Sequence, residues 1–366
     1  MISTEAALLR APGTPLSVEE LRLDDPEPRE VVVAVSHVGL CHSDLHYLDG
    51  RLSLELPAVL GHEAAGVVER VGSAVTGLRP GDRVVASLVP SCGQCSNCES
   101  GRPSICSRSD EVRRRARPAY TLDDGTPVAR LADVGAFSRH ILLRENAAVP
   151  LPDAVPARVG CLLGCCVATG VGSVVHGARV RAGSTVAVVG CGGIGSAIIQ
   201  GARLSGASEV IAIDLSADRL RAARSYGATA VVDAGEREDV LRAVHEIAPG
   251  GVDFAFEAVG SARTAETATA IVRPGGTATI VGIAPPGTTL QIPAEALFFE
   301  EKRIIGSYLG SSLMHSDVRE YASLYQHGAL LLDEMVTEVL PLGMIDDGFE
   351  LMRHGKATRV VVDLNS

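Results

Sequence analysis

Four cysteines, Cys92, Cys95, Cys98 and Cys106, stand in the spacing C-x2-C-x2-C-x7-C. Four thiolates close a tetrahedral zinc shell and leave no corner for a substrate, so a zinc held there is structural. The same spacing also suits an iron–sulfur cluster. Other metal-ligating types are scattered: Cys41-His42-Ser43-Asp44-Leu45-His46, Gly61-His62-Glu63 and Gly164-Cys165-Cys166. Three soft or imidazole ligands with a free fourth position make a catalytic zinc site, although a lone Cys or His is more often a core residue. A third feature runs from Val186 to Gly195 and reads as a strand entering a Gly-x-Gly-x-x-Gly turn. Gly190 permits the tight turn, Gly192 lets the backbone approach a pyrophosphate, and Gly195 lets the next helix pack on the strand. Asp214 ends the following strand, where a carboxylate bonds ribose hydroxyls and repels a 2′-phosphate; the expected cofactor is therefore NAD rather than NADP. Arg219 could serve a 2′-phosphate or a ribose hydroxyl.

These groups need elements to hold them. The first 150 residues read as short strands and turns, including Val31–Val35, Gly66–Val71 and Arg83–Ser87. A cysteine lobe covers 91–107, and a polar stretch, 107–130, reads as a surface excursion. Within it Arg113, Arg114, Arg115 and Arg117 suggest a solvated loop or, more sharply, an anion contact. From Thr185 onward, apolar strands (Thr185–Val189, Glu209–Asp214, Ala230–Asp233, Asp253–Glu257, Thr277–Gly282, Arg303–Tyr308) alternate with helical segments (Ile194–Ser205, Ala217–Tyr226, Glu238–Ile247). That alternation predicts a doubly wound parallel sheet of the Rossmann type, an α/β fold.

Taken together, Gly39-Leu40-Cys41-His42-Ser43-Asp44, Gly61-His62-Glu63, the cysteine quartet, Gly164-Cys165…Thr169-Gly170 and Gly190–Gly195 resemble the zinc-containing medium-chain alcohol dehydrogenases, in a class III-like branch, over nearly the whole chain. The resemblance implies a mainly-β GroES-like catalytic domain (1–157 and 311–366) around an NAD-binding domain (158–310). It implies two zinc ions per subunit, one of them catalytic and held by Cys41, His62 and Cys165. Glu63 would lie behind the metal, and Asp44 would accept the second ring N–H of His62. Ser43 would bond the substrate oxygen, and His46 would end a proton relay that also uses the cofactor ribose. The cofactor would meet Gly193, Thr169, Ile194 and Val281, with His42 and Arg359 facing its pyrophosphate. Leu88, Phe137, Ile283 and Tyr308 would line the substrate pocket. Leu88 replaces a Phe of ethanol-active relatives, which implies a larger substrate.

The implied activity is reversible hydride transfer between a small alcohol or aldehyde and NAD. Glutathione-dependent formaldehyde dehydrogenases are similar too, but their acidic glutathione contacts fall on Gly50 and Leu52 here, and their Arg contact on Asp110; another thiol carrier stays open. A reductase of a conjugated alkene or iminium on the same fold is the alternative enzyme. A non-catalytic nucleotide-binding protein with a structural zinc is a further reading.

Bulk properties set the outer bounds. The chain has 366 residues and a net charge of −11, which opposes nucleic acid and anionic membranes as partners. Nine cysteines without an export signal fit a reduced, cytoplasmic protein that holds metal. The uncharged runs Val159–Ala178 and Ala182–Ala202 have the length of membrane spans, but glycines interrupt both. The family implies a homodimer or homotetramer.

Overall fold

A computed structural model describes residues 1–235 and 237–366, the side chains of 237–239 excepted. The chain divides into two compact units, Met1–Cys166 with Leu313–Ser366, and Val167–Ser312.

The first unit is mainly β. Its central strand, Glu30–Gly39, carries the β-branched run Val31-Val32-Val33 and is buried over most of its length, as suits a strand in mid-sheet. It pairs antiparallel with Glu63–Val71, His140–Arg144 and Arg359–Asp363. Gly39 is the register partner of both Glu63 and Val361. The C-terminal tail thus returns to the same rung as Gly61-His62-Glu63. A Cβ on Gly39 would stand 2.5 Å from a Glu63 carboxylate oxygen, so glycine makes room for that acid.

A small closed barrel is built from Ile2–Leu9, Ser17–Leu23, Tyr120–Thr121, Pro127–Arg130 and Ala58–Val59. This corrects the reading of 107–130 as a mere excursion: its second half supplies two barrel strands. Tyr120 is fully buried, and its hydroxyl donates to the carbonyls of Gly135 and His140. The solvated-loop reading of the arginines fails for Arg115. That side chain is 5% exposed and pairs with Asp24 at 3.1 Å and Glu30 at 3.0 Å. Arg114 and Arg117 do lie at the surface.

The segment 158–166, expected to open the nucleotide domain, belongs to the first unit. Ala157–Gly160 and Cys161–Gly164 pack on Glu30–Gly39 and Glu63–Val71. Gly164 comes so close to the strand Arg83–Ala86 that a Cβ would lie 2.3 Å from the Ala86 carbonyl. That approach delivers Cys165 to the sheet.

The second unit is a six-stranded parallel sheet in the order Ala230–Asp233, Glu209–Asp214, Thr185–Val189, Val252–Glu257, Val272–Ile280, Arg303–Gly306. The inner strands are almost wholly buried, as helices on both faces require. The order reverses beside Thr185–Val189, the position at which such sheets bind ligands. The uncharged run 159–178 is a broken series of short helices, interrupted at Cys165. Among the described residues no single helix is long and apolar enough to cross a membrane.

Candidate functional site

Cys41 precedes the helix His42–Leu48, and its backbone N–H donates to Asp44 at 3.1 Å. The other Asp44 oxygen accepts the Gly61 N–H at 3.0 Å and faces His62 Nδ1 at 3.4 Å. One fully buried carboxylate therefore ties two ligand-bearing segments together and leaves His62 Nε2 for a metal. The expected Asp44–His62 relationship is present as close opposition rather than a formed hydrogen bond, since Nδ1 has no hydrogen-bond partner among the described residues.

Ligand atoms of Cys41, His62, Glu63 and Cys165 all lie within 4.8 Å of one another, and all four residues are buried. The Cys41 thiol is drawn well below its ordinary range by hydrogen bonding with Cys165 and by His62, against the cost of burial. Cys165 is raised by the same contact and by burial. Burial works against a charged His62, but Asp44 and then Cys41 outweigh it and raise its pKa. Soft, buried, electron-rich donors in this arrangement fit zinc. Glu63 is the fourth member. Burial lifts its carboxyl to about 7, against the pull of Arg359. One Glu63 oxygen takes a hydrogen bond from Arg359 Nη2, and the other has no partner among the described residues. Arg359, expected at a pyrophosphate, is 4% exposed and has Glu63 as its partner.

Ser43 Oγ lies 3.5 Å from Cys41 Sγ. His46 follows three residues later on the same helix, hence on the same face. Burial and then Arg51 lower its pKa, so its ring is a neutral acceptor near pH 7. His42 is exposed on the first turn.

The second cysteine set is equally definite. Sulfur separations are 3.5 Å for Cys95–Cys98, 3.9 Å for Cys95–Cys106 and 4.0 Å for Cys92–Cys98. A tetrahedron with metal–sulfur bonds of about 2.3 Å has edges of roughly 3.8 Å. Backbone N–H groups of Gln94 and Cys95 donate to Cys92 Sγ, and that of Cys92 donates to Cys106 Sγ. Cys95 is lowered to about 5 by the Cys98 backbone and Ser107, while burial and the Cys95 thiolate push Cys98 to about 12. Four thiolates at once therefore call for a cation among them.

In the second unit, Gly190 has φ +94°, and its N–H donates to the Ile213 carbonyl. A Cβ on Gly195 would stand 1.8 Å from the Gly190 carbonyl, so only glycine lets the helix Gly193–Leu204 start there. Gly192 has open space where a side chain would be. The helix begins on that open backbone with unpaired N–H groups, which fits a dinucleotide phosphate. Asp214 accepts from Cys191 N at 2.7 Å and Ser216 N at 2.9 Å, with Arg219 Nη1 3.8 Å away. Thr169 and Val281 are buried in this unit.

Of the four residues assigned to a substrate pocket, Leu88 is half-buried in the first unit. Ile283 and Tyr308 are about half exposed, at 48% and 52% in the second. Phe137 is a correction. It is fully buried, its ring packs edge-on against Phe349 at 5.9 Å, and it fills the space a Gly61 side chain would need. It supports the His62 segment instead of facing a ligand. Sequence reasoning missed Val259, an exposed apolar residue against Gly190 at the switch point. The only signal for it was its place just beyond the strand Val252–Glu257.

Comparison with known proteins accords with this geometry. Residues 27–153 match the alcohol dehydrogenase GroES-like domain, and residues 193–327 match the zinc-binding dehydrogenase domain. A Schizosaccharomyces pombe protein named "Probable S-(hydroxymethyl)glutathione dehydrogenase 1" is 36% identical over 375 residues, covering 100% of this chain and 98% of its own length. A Burkholderia ambifaria structure, an alcohol dehydrogenase zinc-binding domain protein, superposes with a TM-score of 0.95 at 33% identity and covers 99% of both chains. The benzyl alcohol dehydrogenase of Acinetobacter calcoaceticus gives 0.91 at 31%, again over 99% of both. The chain belongs to the zinc-containing medium-chain alcohol dehydrogenase family, and is an oxidoreductase of that class.

Proposed function

We propose that the protein is an NAD-linked, zinc-dependent dehydrogenase that moves a hydride reversibly between an alcohol and its aldehyde or ketone. The observation that carries this reading is the buried meeting of Cys41, His62 and Cys165, with Glu63 drawn toward Arg359. Zinc bound there supplies Lewis acidity, which brings an oxygen-bound proton into the neutral range.

The chain's own residues do the rest. Cys41, His62 and Cys165 hold the ion, and Asp44 orients the imidazole through Nδ1. Ser43 Oγ accepts a hydrogen bond from the substrate hydroxyl and, as it takes that proton, releases its own hydroxyl proton along the relay to His46, whose neutral ring accepts it and gives it up to solvent. The turn Gly190–Gly195 seats the pyrophosphate, and Asp214 selects the ribose with a free 2′-hydroxyl. Leu88 leaves more room than an aromatic ring, and the likeness to a benzyl alcohol dehydrogenase supports an aromatic or branched alcohol.

A homodimer is part of this reading. Arg303–Gly306 closes one edge of the parallel sheet, and Leu297, Phe298 and Phe299 stand exposed just before it at 47%, 77% and 81%. A second copy paired along that edge would cover them.

The test is a spectrophotometric screen of primary, secondary and aromatic alcohols with NAD, alongside metal analysis. Two zinc ions per chain and turnover that disappears in Cys165→Ala, with one zinc lost, are expected. Full turnover in that variant would overturn the reading.

A further inference from the structure

A groove of about 850 Å³ lies on the first unit, between Leu56–Pro57, the segment 113–119 and the barrel strand Pro127–Arg130. None of the metal ligands lines it. Five guanidiniums do: Arg113, Arg114, Arg115, Arg117 and Arg130. In a chain of net charge −11, that concentration needs a reason.

Internal pairing accounts for part of it. Asp24 serves both Arg115 and Arg117, each at 3.1 Å. Glu30 is divided between Arg115 and Arg144. Asp133, on the groove wall, reaches Arg113 and Arg130 only at 3.9 and 3.8 Å. Each of these carboxylates is split between two guanidiniums, and Arg114 makes no ion pair among the described residues. Arg115 is 5% exposed, yet its Nε has no hydrogen-bond acceptor among the described residues. Two further acids, Glu55 and Asp110, line the groove and are exposed.

We propose that this groove binds a small phosphorylated polyol. Guanidiniums from Arg114 and Arg117, both exposed, supply donors to a tetrahedral anion, the recognition for which arginine is suited, while the buried Arg115 backs them from the groove wall. Glu55 and Asp110 accept hydrogen bonds from hydroxyl groups on the same molecule and discourage a bare polyanion. The volume lies within the range of small-molecule sites, roughly 300–1,000 Å³. The groove is tied to the rest of the unit through Arg113, whose Nη2 donates to the Leu88 carbonyl.

The test is calorimetric titration of the intact protein with glycerol 3-phosphate at fixed ionic strength, with and without saturating NADH. It reads binding alone, so its outcome is independent of the proposed alcohol chemistry. Saturable binding of one molecule per chain, unchanged by NADH, is expected. Arg114 and Arg117 are exposed, so Arg114→Ala/Arg117→Ala should keep its thermal melting profile and bind at least about tenfold more weakly, the equivalent of about 1.4 kcal/mol. Absence of saturable binding, displacement by NADH or unaltered affinity in the double variant would each overturn the proposal.

Discussion

Arg359 donates to Glu63 across 296 positions of sequence, and the two form a buried ion pair at the edge of the Cys41–His62–Cys165 cluster. Gly39, between their strands, is the residue that allows it. The pair holds one oxygen of the only carboxylate among the four donors, and so limits how Glu63 could approach a metal bound there.

Breaking that pair should be expensive. Removing one partner leaves the other charge buried alone, at a cost of about 3–5 kcal/mol. Arg359→Leu is expected to lose stability on that scale in urea unfolding, and Glu63→Leu similarly. The double variant should cost clearly less than the sum of the two, because no lone charge remains. Strict additivity in the cycle would show that the two side chains do not act as a unit.

His46 gives a prediction in pH. Burial and Arg51 place its folded pKa below the ordinary value near 6.5. The fold therefore binds this proton less readily than the unfolded chain does. Its contribution to stability is complete above the unfolded value and is lost as pH falls through it toward the folded pKa. The neutral ring is also the one that accepts a proton, so alcohol oxidation should hold its rate to somewhat below pH 6.5. His46→Gln should remove that acid limb and slow oxidation near neutral pH by about a hundredfold, with the gap narrowing at high pH as hydroxide takes over. A pH–rate profile identical to wild type would reject the role.

The cysteine lobe should come apart from the catalytic chemistry in metal content. Cys95→Ser removes one corner of the tetrahedron and should lower zinc from two to one per chain, measured by release to a chromogenic chelator. The remaining zinc should stay with Cys41, His62 and Cys165, and residual turnover should track the folded fraction. Retention of both ions would remove Cys95 from the metal set.

How much of this could be read from the residues depended on the range of the interaction. The glycine turn and the cysteine quartet are local, so their spacing alone carries the chemistry, and the strands from Thr185 to Asp214 fall where the apolar runs put them. Three separate segments meeting in one cluster are not local, and only the family pattern joined Cys41, His62 and Cys165 in advance. Two further readings went astray for the same reason. Phe137 matches a pocket position by alignment, but Gly61 and Phe349 enclose it in the core. Arg115 sits in a polar stretch that looks solvated, but its partners Asp24 and Glu30 lie far upstream, where no periodicity reveals them.

Arg115 and Arg114 can therefore be told apart by experiment although they are neighbours. Arg115→Ala leaves the buried Asp24 with Arg117 alone and Glu30 with Arg144 alone, and should destabilise the protein by about 1–3 kcal/mol. Arg114→Ala removes an exposed side chain without an ion pair and should stay within about 0.5 kcal/mol of wild type. Equal midpoints for the two variants in urea would contradict the buried placement of Arg115.

Asp214 connects cofactor choice to the architecture of the glycine turn. Its two oxygens accept the backbone N–H groups of Cys191 and Ser216, so the acid that is proposed to read the ribose also braces the turn that is proposed to seat the pyrophosphate. Asp214→Gly should accordingly weaken both cofactors through the turn, and weaken NAD more, because the repulsion of a 2′-phosphate disappears along with the ribose bond. Arg219, 3.8 Å from Asp214 and with a buried Nε that has no partner among the described residues, is then positioned to meet the phosphate. The informative quantity is the ratio of kcat/KM for NAD to that for NADP, expected to fall by at least about tenfold, the equivalent of about 1.4 kcal/mol. A parallel loss with both cofactors and an unchanged ratio would reduce Asp214 to a brace and remove it from cofactor selection.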